Sequence, residues 1–167
     1  MKTETDVLII GGGIAGVSTL YHLTKMGWSN VMLTEKIELT SGSTWHAAGN
    51  LPHFSNSYNI MKLQQYSIDL YSRLEAETGQ PVDHHPTGAV RLAHTQDRMD
   101  EFERVVAMGE QAGLSLEMVD NDRLRELYPF LDTTGLKGGM WDPDDGHIDP
   151  TSATNAMAAG ARAAGAT

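Results

Sequence analysis

The stretch D-V-L-I-I-G-G-G-I-A-G, residues 6 to 16, limits the possible folds of this chain more than any other. An apolar, β-branched run of this kind is buried on both faces of a parallel sheet. It stops at three glycines, after which a helical pattern begins at once. Gly11, Gly13 and Gly16 spell G-x-G-x-x-G, and Ile14, Val17, Tyr21 and Thr24 recur at helical spacing until Gly27 supplies a C-terminal stop. A second strand-like run, N-V-M-L-T-E, ends at Glu35, nineteen residues after Gly16. Strand, glycine turn, helix and strand, with an acid at that distance, make the unit that binds a dinucleotide.

Each part of the unit has a physical task. Gly11 permits the tight turn, Gly13 lets the backbone approach a pyrophosphate, and Gly16 allows the helix to lie close to the strand. Gly12, Ile14 and Ala15 complete the turn, whose free N–H groups face the anion at the helix N-terminus. Glu35 can accept hydrogen bonds from ribose hydroxyls and would repel a 2′-phosphate, which disfavours NADP. The pattern alone does not separate FAD from NAD, and a glycine-rich turn before a helix can also be purely structural.

The segment after Glu35 carries more specific information. The Glu35-Lys36 pair, the run E-L-T-S-G-S-T-W-H-A-A-G-N-L over residues 38 to 51 and G-H-I-D-P over residues 146 to 150 are quoted in full because together they carry a resemblance. On these residues the chain resembles the dimethylglycine and sarcosine dehydrogenase family, closer to its dimethylglycine branch. These are flavoproteins of the D-amino-acid-oxidase type, and the similarity runs over essentially the whole chain. The resemblance implies FAD as cofactor, and it gives His46 the role of a covalent link to the flavin's 8α-methyl carbon. A neutral imidazole is a competent nucleophile for that bond. Gly42, Ser43, Thr44, Ala47, Ala48, Gly49 and Asn50 would lie against the cofactor, where small side chains keep the backbone thin. Trp45 is read either as a ring over the flavin or as core, and taken alone His46 can equally be a turn histidine bonded to a backbone carbonyl. The resemblance further implies a small N-methylated amino acid as substrate, an electron-transfer flavoprotein or oxygen as electron acceptor, and tetrahydrofolate bound by a domain beyond this stretch. An oxygen-using oxidase of the same fold and a non-catalytic nucleotide-binding fragment are the rival readings.

The fold expected is α/β: a Rossmann-like FAD-binding domain, incomplete, with the start of an inserted α+β substrate domain. Its FAD-binding part is expected over residues 1–81, the start of the substrate domain over 82–141, and a return helix over 142–167. Amphipathic helices are expected at 58–78, with Ile60, Leu63, Leu70 and Leu74 on one face, and at about 97–112, with Met99, Phe102, Val106 and Gly109 sharing a face. Asp120 caps a short helix, and Asp149 followed by Pro150 opens an alanine-rich one. That last helix should deliver the chain to a further parallel strand, so more chain, including the catalytic residues, is expected beyond Thr167.

No metal site is expected. The acidic D-P-D-D-G-H-I-D-P segment has its glycine at the fifth position rather than the sixth, so a calcium loop fails and a turn is the better reading. His53, His84, His85 and His94 form no known ligand spacing. With 12 Lys and Arg against 22 Asp and Glu, the formal charge is −10 and no basic block exists, so nucleic acid is not an expected partner. The chain has no cysteine, which removes disulfides and thiolate chemistry. No apolar run has the length of a membrane helix, and no targeting peptide is read before Asp6, so a soluble, cytoplasmic protein is expected.

Overall fold

The computed structural model describes residues 4–167. The elements follow the order β1 (Val7–Ile10), α1 (Ile14–Lys25), β2 (Val31–Thr34), β3 (Asn50–Leu51), α2 (Tyr58–Thr78), β4 (His84–His85), β5 (Ala89–Ala93), α3 (Gln96–Ala112), β6 (Glu117–Val119), α4 (Asn121–Leu127), β7 (Gly138–Asp142), β8 (Gly146–Ile148) and α5 (Pro150–Ala163). The chain divides into two compact units. The first gathers Met1–Gly49, Asp69–His84 and Ile148–Thr167, and the second Asn50–Ile68 and His85–His147.

In the first unit β1 and β2 are parallel, in the register Val7↔Val31 to Ile10↔Thr34. The crossover between them is α1, as a parallel pair requires. The other edge of β2 is also engaged: Thr167 donates its N–H to Val31 O at 3.0 Å and accepts from Leu33 N at 2.8 Å. Those two bonds are the pattern of a parallel bridge, so α5 brings the chain back alongside β2. Val17, Leu20 and Tyr21 of α1 and Ala153, Ala156, Met157 and Ala161 of α5 are buried. Gly160 is what lets the helices close up, since a Cβ there would lie 2.9 Å from the Tyr21 ring. This is a Rossmann-like, FAD-binding type of fold.

The second unit is built on an antiparallel sheet in the order β5-β7-β6. Its core combines Phe102, Val105 and Ala112 of α3 with Met61, Ala93, Leu114, Leu116 and Met140. A smaller cluster of Val119, Leu124 and Leu136 packs with the partly buried Trp141. Short strands β3 and β8 pair antiparallel, Asn50 with His147 and Leu51 with Gly146.

Two helix starts, those of α4 and α5, follow the caps read from the sequence, and Thr95 adds a cap at α3 that was not read. Thr95, Asp120 and Asp149 each accept a backbone N–H three residues on, and Pro150 occupies the first turn of α5. The face expected on α2 is only half right. Leu70 and Leu74 are buried, but Ile60 and Leu63 are exposed and Met61 is fully buried instead. The helix runs from the second unit into the first, so no single stripe is buried along its length; Met61 serves one core, Leu70 and Leu74 the other.

Candidate cofactor site

The glycine turn at the end of β1 organises the site, which lies wholly in the first unit. Gly11 has φ +113°, a conformation closed to side chains with a Cβ. Gly16 lies against the turn, and a Cβ there would be 2.0 Å from the Gly11 carbonyl oxygen. Glycine at these two positions is therefore a steric requirement, and it sets the N-terminus of α1 at the end of the parallel strands.

Two side chains from outside the turn hold it in place. Glu35, one residue beyond β2, accepts the Gly12 N–H on Oε2 at 2.7 Å and the Ile37 N–H on Oε1 at 3.1 Å. The Gly12 N–H first, and the Ile37 N–H second, hold its carboxyl below the usual carboxylate range, so it is ionised. Each oxygen keeps a further lone pair with which to accept a ribose hydroxyl. Thr44, buried, accepts the Ile14 N–H on Oγ1 at 2.9 Å. Gly13 at the helix cap has no side chain to intrude, and a Cβ there would meet Thr44 Oγ1 at 3.0 Å.

Thr44, Trp45 and His46 form a single turn of 3₁₀ helix. Trp45 is exposed, 58% of it open to solvent, so it is not core. Its ring lies against the exposed His46 ring with centroids 3.9 Å apart. His46 Nδ1 lies 3.1 Å from the Gly42 carbonyl oxygen. A carbonyl can only accept, so Nδ1 is the donor in this contact, and in the neutral ring the lone pair is then on Nε2.

The remaining candidates are placed less tightly. Ala15, Lys36, Gly42, Ser43, Ala47 and Ala48 are exposed around the turn. Gly49 accepts a hydrogen bond from Ile148 N, and Asn50 belongs to the second unit, where it pairs with His147. Three contributors went unread in the sequence. Ile10, 84% exposed, lines a cavity with Gly11, Thr34, Glu35 and Lys36, and Thr40 donates its N–H to Gly12 O at 2.9 Å. An apolar residue at the mouth of a parallel strand is the one signal that could have marked Ile10. A helix N-terminus with free donors, an ionised acid beside it and an apolar residue at the cavity mouth fit a dinucleotide such as FAD.

A family profile described as FAD dependent oxidoreductase matches residues 6–167. The chain belongs to this FAD-dependent oxidoreductase family. It is 46% identical over 165 residues to mitochondrial dimethylglycine dehydrogenase of Mus musculus, covering 99% of this chain and 19% of that protein. It is 35% identical to mitochondrial sarcosine dehydrogenase of Homo sapiens over 99% of this chain and 18% of that protein. Among solved structures, L-proline dehydrogenase from P. horikoshii superposes with a TM-score of 0.92 at 27% identity, over 100% of this chain and 44% of that one. The chain thus spans about a fifth of the length of the curated relatives named here.

Proposed function

We propose that this protein is an FAD-dependent dehydrogenase that oxidises the N-methyl group of an N-methylated glycine, dimethylglycine ahead of sarcosine. The observation that carries this reading is the 46% identity to dimethylglycine dehydrogenase across 99% of the chain. Within the chain, the α1 N-terminus and Thr44 hold the pyrophosphate end of the cofactor, and Glu35 holds the adenosine ribose. His46 anchors the flavin covalently through Nε2, with Gly42 fixing the tautomer by accepting the Nδ1 proton. Bound FAD supplies the hydride acceptor for the substrate's N-methyl carbon. His46 retains the cofactor and takes no part in moving substrate protons. Electrons pass on to an electron-transfer flavoprotein or to oxygen, and the one-carbon unit to water or tetrahydrofolate.

Anaerobic mixing of the intact protein with dimethylglycine or with sarcosine tests this reading. Bleaching of the flavin's visible absorbance by dimethylglycine, with sarcosine and formaldehyde as products on reoxidation, is expected. A flavin reducible by dithionite but by neither N-methylated glycine would refute it.

A further inference from the structure

The acidic turn between β7 and β8 has a partner that linear spacing hides. In the β3–β8 pairing Leu51 faces Gly146, and carrying that register two residues further sets His53 against Asp144. The turn itself is fixed by the Asp144 N–H, which donates to Asp142 Oδ1 at 3.1 Å. One ligand atom from each of His53, Asp142 and Asp144 then lies within 4.8 Å of the other two. His53 Nδ1 and Asp142 Oδ1 are 3.6 Å apart.

Two of the three groups each bury one atom that has no hydrogen bond. Asp142 is only 1% exposed, and its Oδ2 has no hydrogen bond. His53 is 9% exposed, and its Nδ1 also lacks one. Native proteins seldom leave such atoms unsatisfied, because desolvation is then uncompensated. Charge points the same way. Asp142 and Asp145 both lie in the field of Arg91, whose guanidinium reaches Asp145 Oδ2 at 3.3 Å and stacks over Phe54. Its ion pair is made with Asp145, and a divalent ion would supply positive charge beside Asp142 and Asp144.

We propose that His53, Asp142 and Asp144 bind one divalent transition-metal ion of the zinc class, clipping the segment after β3 to the turn that joins β7 to β8. The donor set decides the class. One imidazole with two carboxylates suits zinc and its first-row neighbours, whereas calcium takes six to eight oxygens. Zinc bonds of ~2.1 Å in a tetrahedron separate adjacent ligand atoms by ~3.4 Å, close to the His53–Asp142 spacing. Asp144 is solvent-exposed, giving the ion its entry path and leaving the fourth position to water.

Equilibrium dialysis of the chelator-treated, flavin-loaded protein against micromolar zinc, with retained metal counted, tests the site. About one zinc per chain is expected, with affinity lowered roughly tenfold or more by His53→Gln, Asp142→Asn and Asp144→Ala. Asp144→Ala removes an exposed side chain and keeps the backbone N–H that holds the turn, so it decides the matter even if the two buried variants fold poorly. The stacked pair His85 and His147, with ring centroids 4.9 Å apart, is the competing zinc ligand set. No stoichiometric zinc, zinc unchanged in Asp144→Ala, or zinc lost with His147→Gln but kept in Asp144→Ala would each overturn the proposal.

Discussion

Replacing Gly16 with alanine strikes the closest contact in the cofactor site. The new methyl carbon would sit 2.0 Å from the Gly11 carbonyl oxygen, 3.2 Å from its carbon and 3.4 Å from Ile9 Cγ2. A carbon and a carbonyl oxygen approach no nearer than ~3.3 Å, so α1 must withdraw from the turn by ~1 Å or more. The Gly11 carbonyl cannot simply swing aside, because it shares a peptide plane with the Gly12 N–H, which is bonded to Glu35 Oε2 at 2.7 Å. Forced repacking of this kind costs about 1–3 kcal/mol. The displaced part is the helix N-terminus proposed to hold the pyrophosphate, so flavin retention should fall as well, roughly tenfold for each 1.4 kcal/mol lost in binding. Urea unfolding and flavin content per chain, measured on the same preparations, read the two effects. A Gly16→Ala protein within ~0.5 kcal/mol of the parent and carrying the same flavin would refute the close-approach argument.

Thr44→Val should cost about 0.5–2 kcal/mol, since the Ile14 N–H loses its acceptor while the shape is kept, and Thr44→Ser should recover most of it in the same urea titration. Glu35→Ala frees the Gly12 and Ile37 N–H groups and should lower flavin retention roughly tenfold, with Glu35→Gln intermediate, when flavin content is assayed. Glu77 accepts from the Tyr21 hydroxyl at 2.5 Å, pairs with Lys25 at 2.7 Å and with Arg73 at 2.7 Å, and its carboxyl is held down at about 2, chiefly by Lys25 and then Tyr21. A carboxyl with a lowered folded value stabilises fully above its unfolded value near ~4.3 and loses that contribution as pH falls toward about 2. Lys25 is half exposed and screened, so the loss should be about 1–2 kcal/mol. Glu77→Gln should flatten that acid limb in urea titrations repeated from neutral pH downward, and an unchanged limb would show that Glu77 is not its source.

What could be read from the sequence was local. The β1, α1 and β2 assignments rest on periodicities within thirty residues and on Gly11 and Gly16, whose conformations and contacts admit nothing larger. The N-caps Asp120 and Asp149 declare themselves by the helix pattern that follows them. What escaped was held by distant partners. Strands β3 and β8 have two and three residues, too few for a periodicity, and exist because Asn50 and His147 pair across the chain. Thr44 looked like one small residue among several, and its cap on Ile14 appears only once the loop folds back. His53 was set aside with His84, His85 and His94 because their spacings form no known ligand set, and Asp142 with a calcium loop that fails; no linear spacing predicts their 3.6 Å approach. On α2 the periodicity was sound, but which stripe is buried depends on two separate cores, so Ile60 and Leu63 were misassigned.

We propose that the turn at residues 11–16, Glu35, Thr44 and His46 constitute a flavin site that His46 closes covalently. Denaturing electrophoresis of the protein, imaged for flavin fluorescence before staining, tests it most directly. A fluorescent band that persists after denaturation and disappears in His46→Ala is the predicted result. A dark band from the parent protein, or fluorescence that survives His46→Ala, would contradict it.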